Sequence, residues 1–323
     1  MSQQPPSPFL NIDQQIQYLY DREYVENECI TPASKRRLAQ MNFHYFLGYA
    51  RNYRMIAGST NLVASKDIAD IFHIIDIDHQ VSDLMISALR SAEHYLRSTL
   101  VQEYCRAGLS PESSFLNTQT YTNLGENSSP ERLVETIADQ VLRYREPYVS
   151  DHIASRAQEL GMAVPKQSRD DSRCLGLLDQ LPIWSVVDCL QLGTLSRIIS
   201  QAKTSDGSDL WREVAKATDI RAQIFPTNLK SLSTFRNQVA HFNRLWMKPT
   251  ADTPKKPNAY EKRLRDFSPT PKSMLLNFYN IGLFLPNATS NRFLDEVDAI
   301  LTKSDNSLYR LGVTDPMLEK LKK

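Results

Sequence analysis

Apolar residues recur at the three- and four-residue spacing of amphipathic helices along most of the chain. The longest such pattern covers residues 66–106 and predicts a central helix, or two helices that abut. Thr31-Pro32 and Ser129-Pro130 each place an N-cap residue before a proline at the first helical position, which predicts two helix starts. Alternation of apolar and polar residues never extends beyond a few positions, so the pattern indicates an all-α fold.

Further helices are expected around two polar, turn-rich connections, residues 108–130 and 163–174. Glycine is scarce, at 10 of 323 residues, which suits long helices better than turn-rich β structure. The helices that the pattern predicts in the second half of the chain are 181–199, with an interruption at Gly193, 226–247 without a break, 271–285 and 290–303.

Composition and periodicity together predict the organisation of the chain. Residues 1–8 are rich in Pro, Ser and Gln and are expected to form a disordered tail. An N-terminal helical module is expected over 9–60 and a larger helical domain over 61–303. Within that domain, 249–272 is rich in Pro and Lys and lacks periodicity, which predicts a basic loop. Residues 304–323 are expected to be a C-terminal tail.

The sequence predicts a cytoplasmic protein without a membrane span. It has no run of about 18 apolar residues, and its first residues lack the basic and apolar regions of a signal peptide. The cysteines lie far apart and form no Cys-x-x-Cys motif, which predicts reduced thiols rather than disulfides or a zinc site; they are Cys29, Cys105, Cys174 and Cys189.

Positive charge is concentrated in one part of the chain. The formal net charge is +1, yet Arg221–Lys272 contains eleven Lys and Arg against three acids, a balance of +8 that leaves −7 for the rest. A basic block of this kind is typical of a site for a polyanion such as nucleic acid. A solvated charged loop would have the same composition, and charge alone does not separate the two interpretations.

The segment Leu229–Trp246 contains the most informative side chains. On a helix, at about 100° per residue, one apolar face would hold Leu232, Phe235, Val239, Phe242 and Trp246. A polar band would lie opposite, flanked by Arg236, and would hold Asn237, His241, Arg244 and Lys248. This arrangement puts an imidazole beside guanidinium groups and an amide, away from the apolar face, which favours a functional site, although a lone histidine is more often structural.

The pattern Arg236-Asn237-x-x-x-His241, followed by Arg244-Leu245-Trp246, resembles the signature of the HEPN superfamily of ribonucleases. More closely, it resembles the Abi family of abortive-infection proteins of the AbiD/AbiF type. Three upstream segments are similar to that family in the same order, namely 19–53, 77–100 with Asp78, Glu93 and Arg97, and 181–199. Phe242 stands where many members have a second histidine, and Lys248 stands where an asparagine is frequent.

The resemblance implies a HEPN-like helical bundle that binds RNA and cleaves it without a metal or other cofactor, in phage defence or as a toxin. His241 would transfer protons, Arg236 would hold the phosphate, and Asn237 would orient the imidazole or bind a phosphate oxygen. DNA should resist because it lacks the 2′-OH nucleophile. The alternatives are a module that binds a structured small non-coding RNA without cutting it, as in a toxin–antitoxin pair, and a helical scaffold for protein contacts.

The expected partners are RNA and a second copy of the chain, since sites of this family commonly form where two motifs face each other. The residues expected to contact RNA are Arg244, Lys248, Lys255, Lys256, Lys262, Arg263, Arg36 and Arg37. Glu93 and Arg97 lie four residues apart, most simply as a helix-stabilising ion pair. A set of side chains on the same helix includes possible metal ligands but more simply forms a polar surface: His73, Asp76, Asp78, His79 and Asp83.

Overall fold

The structure is a computed structural model that describes residues 9–59, 63, 66–167 and 172–319. These residues form α-helices joined by loops and 3₁₀ turns, and their only β-type pairing consists of isolated bridges. The prediction of an all-α fold is therefore confirmed. The predicted disordered tail, residues 1–8, lies outside the described residues.

The helices are short except for one. In chain order, the described helices are α1 (Ile12–Asp21), α2 (Pro32–Ala39), α3 (Phe43–Ser59), α4 (Ile68–Arg106), α5 (Pro130–Tyr144), α6 (Pro147–Glu159), α7 (Ile183–Val186), α8 (Leu192–Gln201), α9 (Leu210–Ala217), α10 (Phe225–Ala240), α11 (Glu261–Phe267), α12 (Leu275–Leu283), α13 (Asn287–Thr302) and α14 (Ser307–Thr314).

Helix α4 is the axis of the fold. Its 39 residues would span about 58 Å at 1.5 Å per residue. The Asp67 side chain caps its N-terminus by accepting a hydrogen bond from the backbone N–H of Ala69. Helices from both halves of the chain pack on it, namely α3, α8, α9, α10, α12, α13 and α14. The prediction of a central helix over 66–106 is confirmed, as one continuous element.

The predicted helix starts are confirmed by their caps. Thr31 accepts a hydrogen bond from the backbone of Ser34, and Ser129 accepts one from the backbone of Arg132. The predicted interruption at Gly193 is displaced, because Gly193 lies in the first turn of α8 and the extended residues just before it make the break. These caps are local interactions, which is why the sequence alone predicts them well.

Two predictions about the C-terminal part of the chain are wrong. Of the predicted tail, 304–323, the described residues 304–319 are not a tail, since α14 packs on α4 and buries Tyr309 and Val313 completely. The segment 249–272 is not all loop, because it contains α11. Both helices are about two turns long, too short for a periodic pattern, and their stability comes from the contacts that they bury.

Across the part of the chain that the structure describes, every helix is too short or too polar to cross a bilayer.

Candidate functional site

Helix α10 ends at the candidate motif itself. His241 is its C-cap, and Phe242 follows in the left-handed region with φ 52°. The N–H of Phe242 donates to Val239 O at 2.9 Å and the N–H of Asn243 donates to Gln238 O at 3.2 Å, the two bonds of a Schellman motif. The prediction of one helix from Pro226 to Met247 is therefore wrong. No glycine marks this helix end in the sequence, and the apolar pattern continues past it, so the pattern did not predict where the helix ends.

The helix end separates side chains that one face was expected to share. Leu232, Phe235 and Val239 are buried as predicted. Phe242, however, is 72% exposed, while Trp246 is completely buried on a different part of the core. A bulky residue in the left-handed region costs about 1–2 kcal/mol relative to the right-handed one. Phe242 thus exposes its aromatic ring to solvent while its backbone has a left-handed conformation that favours glycine.

The segment that follows the motif is fixed by Asp78 of α4. This carboxylate is 2% exposed and accepts hydrogen bonds from the backbone N–H groups of Leu245 at 3.0 Å and Trp246 at 3.1 Å. It also accepts from the hydroxyls of Tyr49 and Tyr309, the latter at 2.7 Å. Asp78 is therefore not part of a polar surface, as the sequence had indicated, but joins α3, α4 and α14 to the motif.

Burial raises the pKa of the Asp78 carboxyl above its ordinary value, and its hydrogen bonds from Tyr49, Leu245, Tyr309 and Trp246 oppose that rise. Burial and the neighbouring carboxylate raise the pKa of Tyr49 far above its ordinary value, so its hydroxyl remains a donor. Since every contact to Asp78 comes from a donor, the geometry favours the ionised carboxylate.

Trp246 packs in the core rather than in the site. Its indole stacks on Tyr49 with ring centroids 6.1 Å apart and an interplanar angle of 7°. Its Nε1–H donates to Leu308 O at 3.0 Å. Gly312 of α14 lies directly against the ring, since a Cβ at that position would be 2.1 Å from Nε1. The motif thus depends on α14, the helix that the sequence had assigned to a tail.

Arg244, a predicted RNA ligand, is used within the protein. Its Nη1 donates to Gly48 O of α3, and its guanidinium lies 5.5 Å from the centroid of the Tyr49 ring. Burial lowers the pKa of Arg244, and Coulombic attraction to Tyr49 and Asp78 opposes that shift. Lys248 is half-buried, and its pKa is lowered first by burial and then by Arg244. The structure thus gives Arg244 a tethering role.

Arg236, Asn237 and His241 lie together at the C-terminal end of α10. Asn237 and His241 are exposed, and Arg236 is half-buried. The amide oxygen of Asn237 accepts from Arg236 Nη1 at 3.4 Å, while the backbone N–H of His241 donates to Asn237 O at 3.1 Å. The amide therefore contacts the guanidinium rather than the imidazole that it was expected to orient.

Glu93 holds the Arg236 guanidinium from the side of α4. Its Oε2 lies 3.4 Å from Arg236 Nε, and its Oε1 lies 2.7 Å from Arg97 Nη2. The same Arg97 nitrogen also donates to Leu190 O at 2.9 Å. The prediction of an ion pair between Glu93 and Arg97 is confirmed. Its contact with Arg236 adds a second function, since one buried carboxylate fixes the direction of the candidate phosphate ligand.

A groove of about 500 Å³ runs between α4 and the end of α10. It is lined by Ile86, Leu89, Arg90, Glu93, His94, Arg97, Arg236, Val239, Ala240 and Phe242. Sequence reasoning missed Arg90 and His94, although a spacing of four residues places them on one side of α4. Both side chains are exposed, and no described residue forms an ion pair with Arg90. The groove thus contains the His94 imidazole together with Arg236, whereas Asn237 and His241 are not among its lining residues.

A second cavity, also about 500 Å³, lies on the other side of Phe242. It is lined by Asn42, Tyr45, Asp78, His79, Ser82, Asp83, Phe242 and Asn243. Most of these side chains can donate or accept hydrogen bonds, and the two aspartates make the cavity acidic. Phe242 lines both cavities and forms the ridge between them.

The basic block is partly neutralised. Arg263 forms ion pairs with Asp295 at 2.6 Å and Asp298 at 2.8 Å, both on α13, and these carboxylates raise the pKa of Arg263 above its ordinary value. The Lys255 ammonium donates to Gln223 O at 3.0 Å. These contacts leave Arg263 and Lys255 less available to a phosphate than the sequence had indicated.

The remaining predicted RNA ligands differ in exposure. Lys256 and Lys262 are exposed. Arg37 forms an ion pair with Asp76 and lies 4.4 Å from the centroid of the Phe72 ring, whereas Arg36 points to solvent. The freest cations of the predicted set are therefore Lys256, Lys262 and Arg36. Within the described residues, no three His, Cys, Asp or Glu side chains are arranged to hold a metal ion.

A family model described as Abi-like protein matches residues 36–247, a span that includes α4 and the whole of the candidate motif. No curated protein and no solved structure matches the chain.

Proposed function

The chain belongs to the family of Abi-like proteins, and we propose that it is an RNA-binding endoribonuclease that needs no metal. Membership in this family suggests a role in abortive-infection defence. The observation that carries the proposal is the cluster at the end of α10, where Glu93 holds Arg236 beside the exposed Asn237 and His241. Of these four residues, Glu93 and Arg236 line the cationic groove between α4 and α10.

The proposed reaction uses the nucleophile that RNA itself carries. His241 takes the proton from a 2′-OH, and the 2′-oxygen attacks the adjacent phosphorus. The new 2′-O–P bond forms as the P–O5′ bond breaks, and the leaving 5′-oxygen receives a proton. The products are a 2′,3′-cyclic phosphate and a 5′-OH. Electrons are redistributed without oxidation or reduction, so proton transfer and charge stabilisation are sufficient.

Arg236 stabilises the charge that develops on the phosphate oxygens. Its Nε faces Glu93, which leaves the terminal nitrogens for Asn237 and for a phosphate. Glu93 is thus a positioning residue, because it fixes the guanidinium without touching the substrate. Arg97 neutralises the second oxygen of the Glu93 carboxylate, which allows that carboxylate to be buried.

The proton for the leaving oxygen has two candidate sources. One is His241 of a second copy, in the homodimer that the resemblance implies. The other is His94, which lines the same groove as Arg236 in a single chain. His94 would then act as the acid from within the groove, and His241 would act as the base from the adjoining end of α10. The position of His94 favours the second source without excluding assembly of two copies.

The decisive experiment compares cleavage of a single-stranded RNA by the wild type, His241→Ala and Arg236→Ala in EDTA. We expect both variants to remain folded by circular dichroism and to lose cleavage. Matched controls are His73→Ala and Arg292→Ala, which change exposed residues outside the groove and should cleave normally. A substrate with one 2′-deoxy position should resist cleavage at that position. Equal cleavage by the wild type and His241→Ala would refute the proposal.

The second candidate function is an RNA-binding module that does not cut. The exposed Lys256 and Lys262 favour RNA contact whether or not cleavage occurs. In this case the wild type and His241→Ala would bind a structured small RNA with equal affinity, and neither would produce a cyclic phosphate end. Affinity should fall steeply as salt rises, because each neutralised phosphate releases counterions.

A further inference from the structure

Phe242 is exposed to solvent, has an unfavourable backbone conformation and lies between two cavities. Phe242 is 72% exposed and lies directly beside His241 in sequence. The Schellman motif needs a left-handed residue at this position, and glycine would form it without the clash of a side chain. Packing does not account for the phenylalanine, because most of the ring touches solvent. A strained residue at a candidate site points to a function for its side chain.

The two cavities beside Phe242 differ in charge. The groove between α4 and α10 contains three arginines and one glutamate, a balance of +2. The second cavity contains Asp78 and Asp83, a balance of −2, with several uncharged polar groups. A phosphate is anionic and a nucleobase is neutral, so electrostatics places the phosphate in the first cavity and the base toward the second. Phe242 stands where a single strand would cross from one to the other.

We propose that Phe242 is the stacking platform for the base adjacent to the cleaved phosphate. The base lies on the ring and points its edge into the second cavity, toward Asn42, Asp83 and Asn243. The Asp83 carboxylate only accepts hydrogen bonds when ionised. It therefore favours a base with an exocyclic amino group, namely adenine, cytosine or guanine, over uracil, whose single N3–H donor lies between two carbonyl oxygens that repel a carboxylate. This inference rests on the proposed function and adds to it a residue that determines specificity.

A competing occupant is a second copy of the chain. Ile86 lines the same groove and is 37% exposed, so Phe242 and Ile86 together would offer a small apolar contact. The charges on both sides of the ridge favour RNA, because a self-association patch gains little from three arginines around its apolar centre. Contact with a second copy is therefore an outcome that the experiment must detect.

The experiment measures binding of a short single-stranded RNA by fluorescence anisotropy, with a 2′-deoxy nucleotide at the cleaved position to prevent turnover. Phe242→Ala and Phe242→Leu should weaken binding by about 5-fold to 150-fold, the range that one stacked base supplies. Phe242→Trp should retain the affinity and show quenched fluorescence when RNA is added. Trp184→Ala, at another exposed aromatic, is the matched control and should bind as the wild type does.

Phe242→Gly separates stacking from stability. It relieves the left-handed strain, so its midpoint of thermal unfolding should equal or exceed that of the wild type while RNA affinity falls. For base choice, replacing the base at the stacked position by uracil should weaken binding to the wild type, and Asp83→Asn should reduce that difference.

The outcomes distinguish this inference from the proposed function. If the wild type cleaves RNA but Phe242→Leu binds and cleaves equally well, the stacking platform is refuted and the ribonuclease stands. If Phe242→Ala loses affinity only because a dimer becomes a monomer by light scattering, the ring is a contact between copies and the inference fails. If the wild type neither binds nor cleaves RNA, both proposals fail.

Discussion

Replacing Asp78 by asparagine changes one atom at the point where α3, α4 and α14 meet the motif. The aspartate accepts four hydrogen bonds, two from backbone N–H groups and two from tyrosine hydroxyls. Oδ1 accepts from Trp246 N and the Tyr309 hydroxyl, while Oδ2 accepts from Leu245 N and the Tyr49 hydroxyl. An asparagine has the same shape but presents one oxygen and one NH₂ group to the same four partners. Two of the four donors therefore face a donor group instead of an acceptor.

The loss of stability expected for Asp78→Asn follows from the four hydrogen-bond donors that surround the side chain. A tyrosine hydroxyl can rotate and accept from the new NH₂ group, but a backbone N–H cannot. One buried N–H is therefore left facing another donor, which costs about 1–3 kcal/mol. The retained bonds lose their charge assistance, which adds about 1 kcal/mol, and the smaller desolvation cost of an amide offsets part of the sum. We expect a loss of about 2–4 kcal/mol in the free energy of unfolding.

The assay combines urea denaturation with amide hydrogen exchange. Exchange should accelerate at Leu245 and Trp246, whose N–H groups lose their acceptor, more than at other core amides. Asp70→Asn is the matched control on the same helix, since the exposed Asp70 accepts one hydrogen bond, from Tyr53 at 2.7 Å, that an asparagine oxygen can also accept. Its cost should stay below about 1 kcal/mol. A loss for Asp78→Asn as small as that of the control would refute the reasoning.

The other expectations concern packing, charge and proton transfer. Gly312→Ala should lower the free energy of unfolding by about 2–3 kcal/mol, because its Cβ would lie 2.1 Å from a buried indole nitrogen. Its control is Gly58→Ala, whose Cβ would meet open space and which should stabilise α3 by up to about 1 kcal/mol. Arg263→Glu should destabilise by about 1–3 kcal/mol by facing the two α13 aspartates, while Lys256→Glu should keep stability within about 0.5 kcal/mol and weaken RNA binding. His94→Ala should slow single-turnover cleavage by about 100-fold without altering the oligomeric state.

Thermal unfolding, RNA titration at several salt concentrations and light scattering check these expectations. Equal midpoints for Gly312→Ala and Gly58→Ala would show that the contact between α14 and the tryptophan is not tight. If Arg263→Glu kept full stability and lost RNA affinity, that arginine would bind RNA rather than α13. Full cleavage by His94→Ala would return the second proton transfer to His241 of a partner copy. Adding excess His241→Ala to the wild type should then reduce cleavage, because mixed dimers contain a single His241.

The helical part of the fold could be predicted because its signals are local. The cap at Thr31 forms with Ser34, three residues away, and the apolar stripe of α4 is visible in one segment of the sequence. The end of α10 could not be predicted from the same signals, because a phenylalanine occupies the left-handed position where glycine is expected. The apolar pattern predicted two further turns of α10, and this error put the exposed Phe242 ring and the buried Trp246 indole on one helix face.

The sequence by itself determined that the chain is helical, where its central helix lies, and which arginine, asparagine and histidine share one helical segment. Only the tertiary structure decided what surrounds them. Asp78 binds the backbone of Leu245 across 167 positions of sequence, and Tyr309 binds the same carboxylate across 231. Such contacts depend on how helices pack, and packing is set by shape and burial over the whole core, which no local pattern encodes. The groove with Arg90 and His94 exists for the same reason.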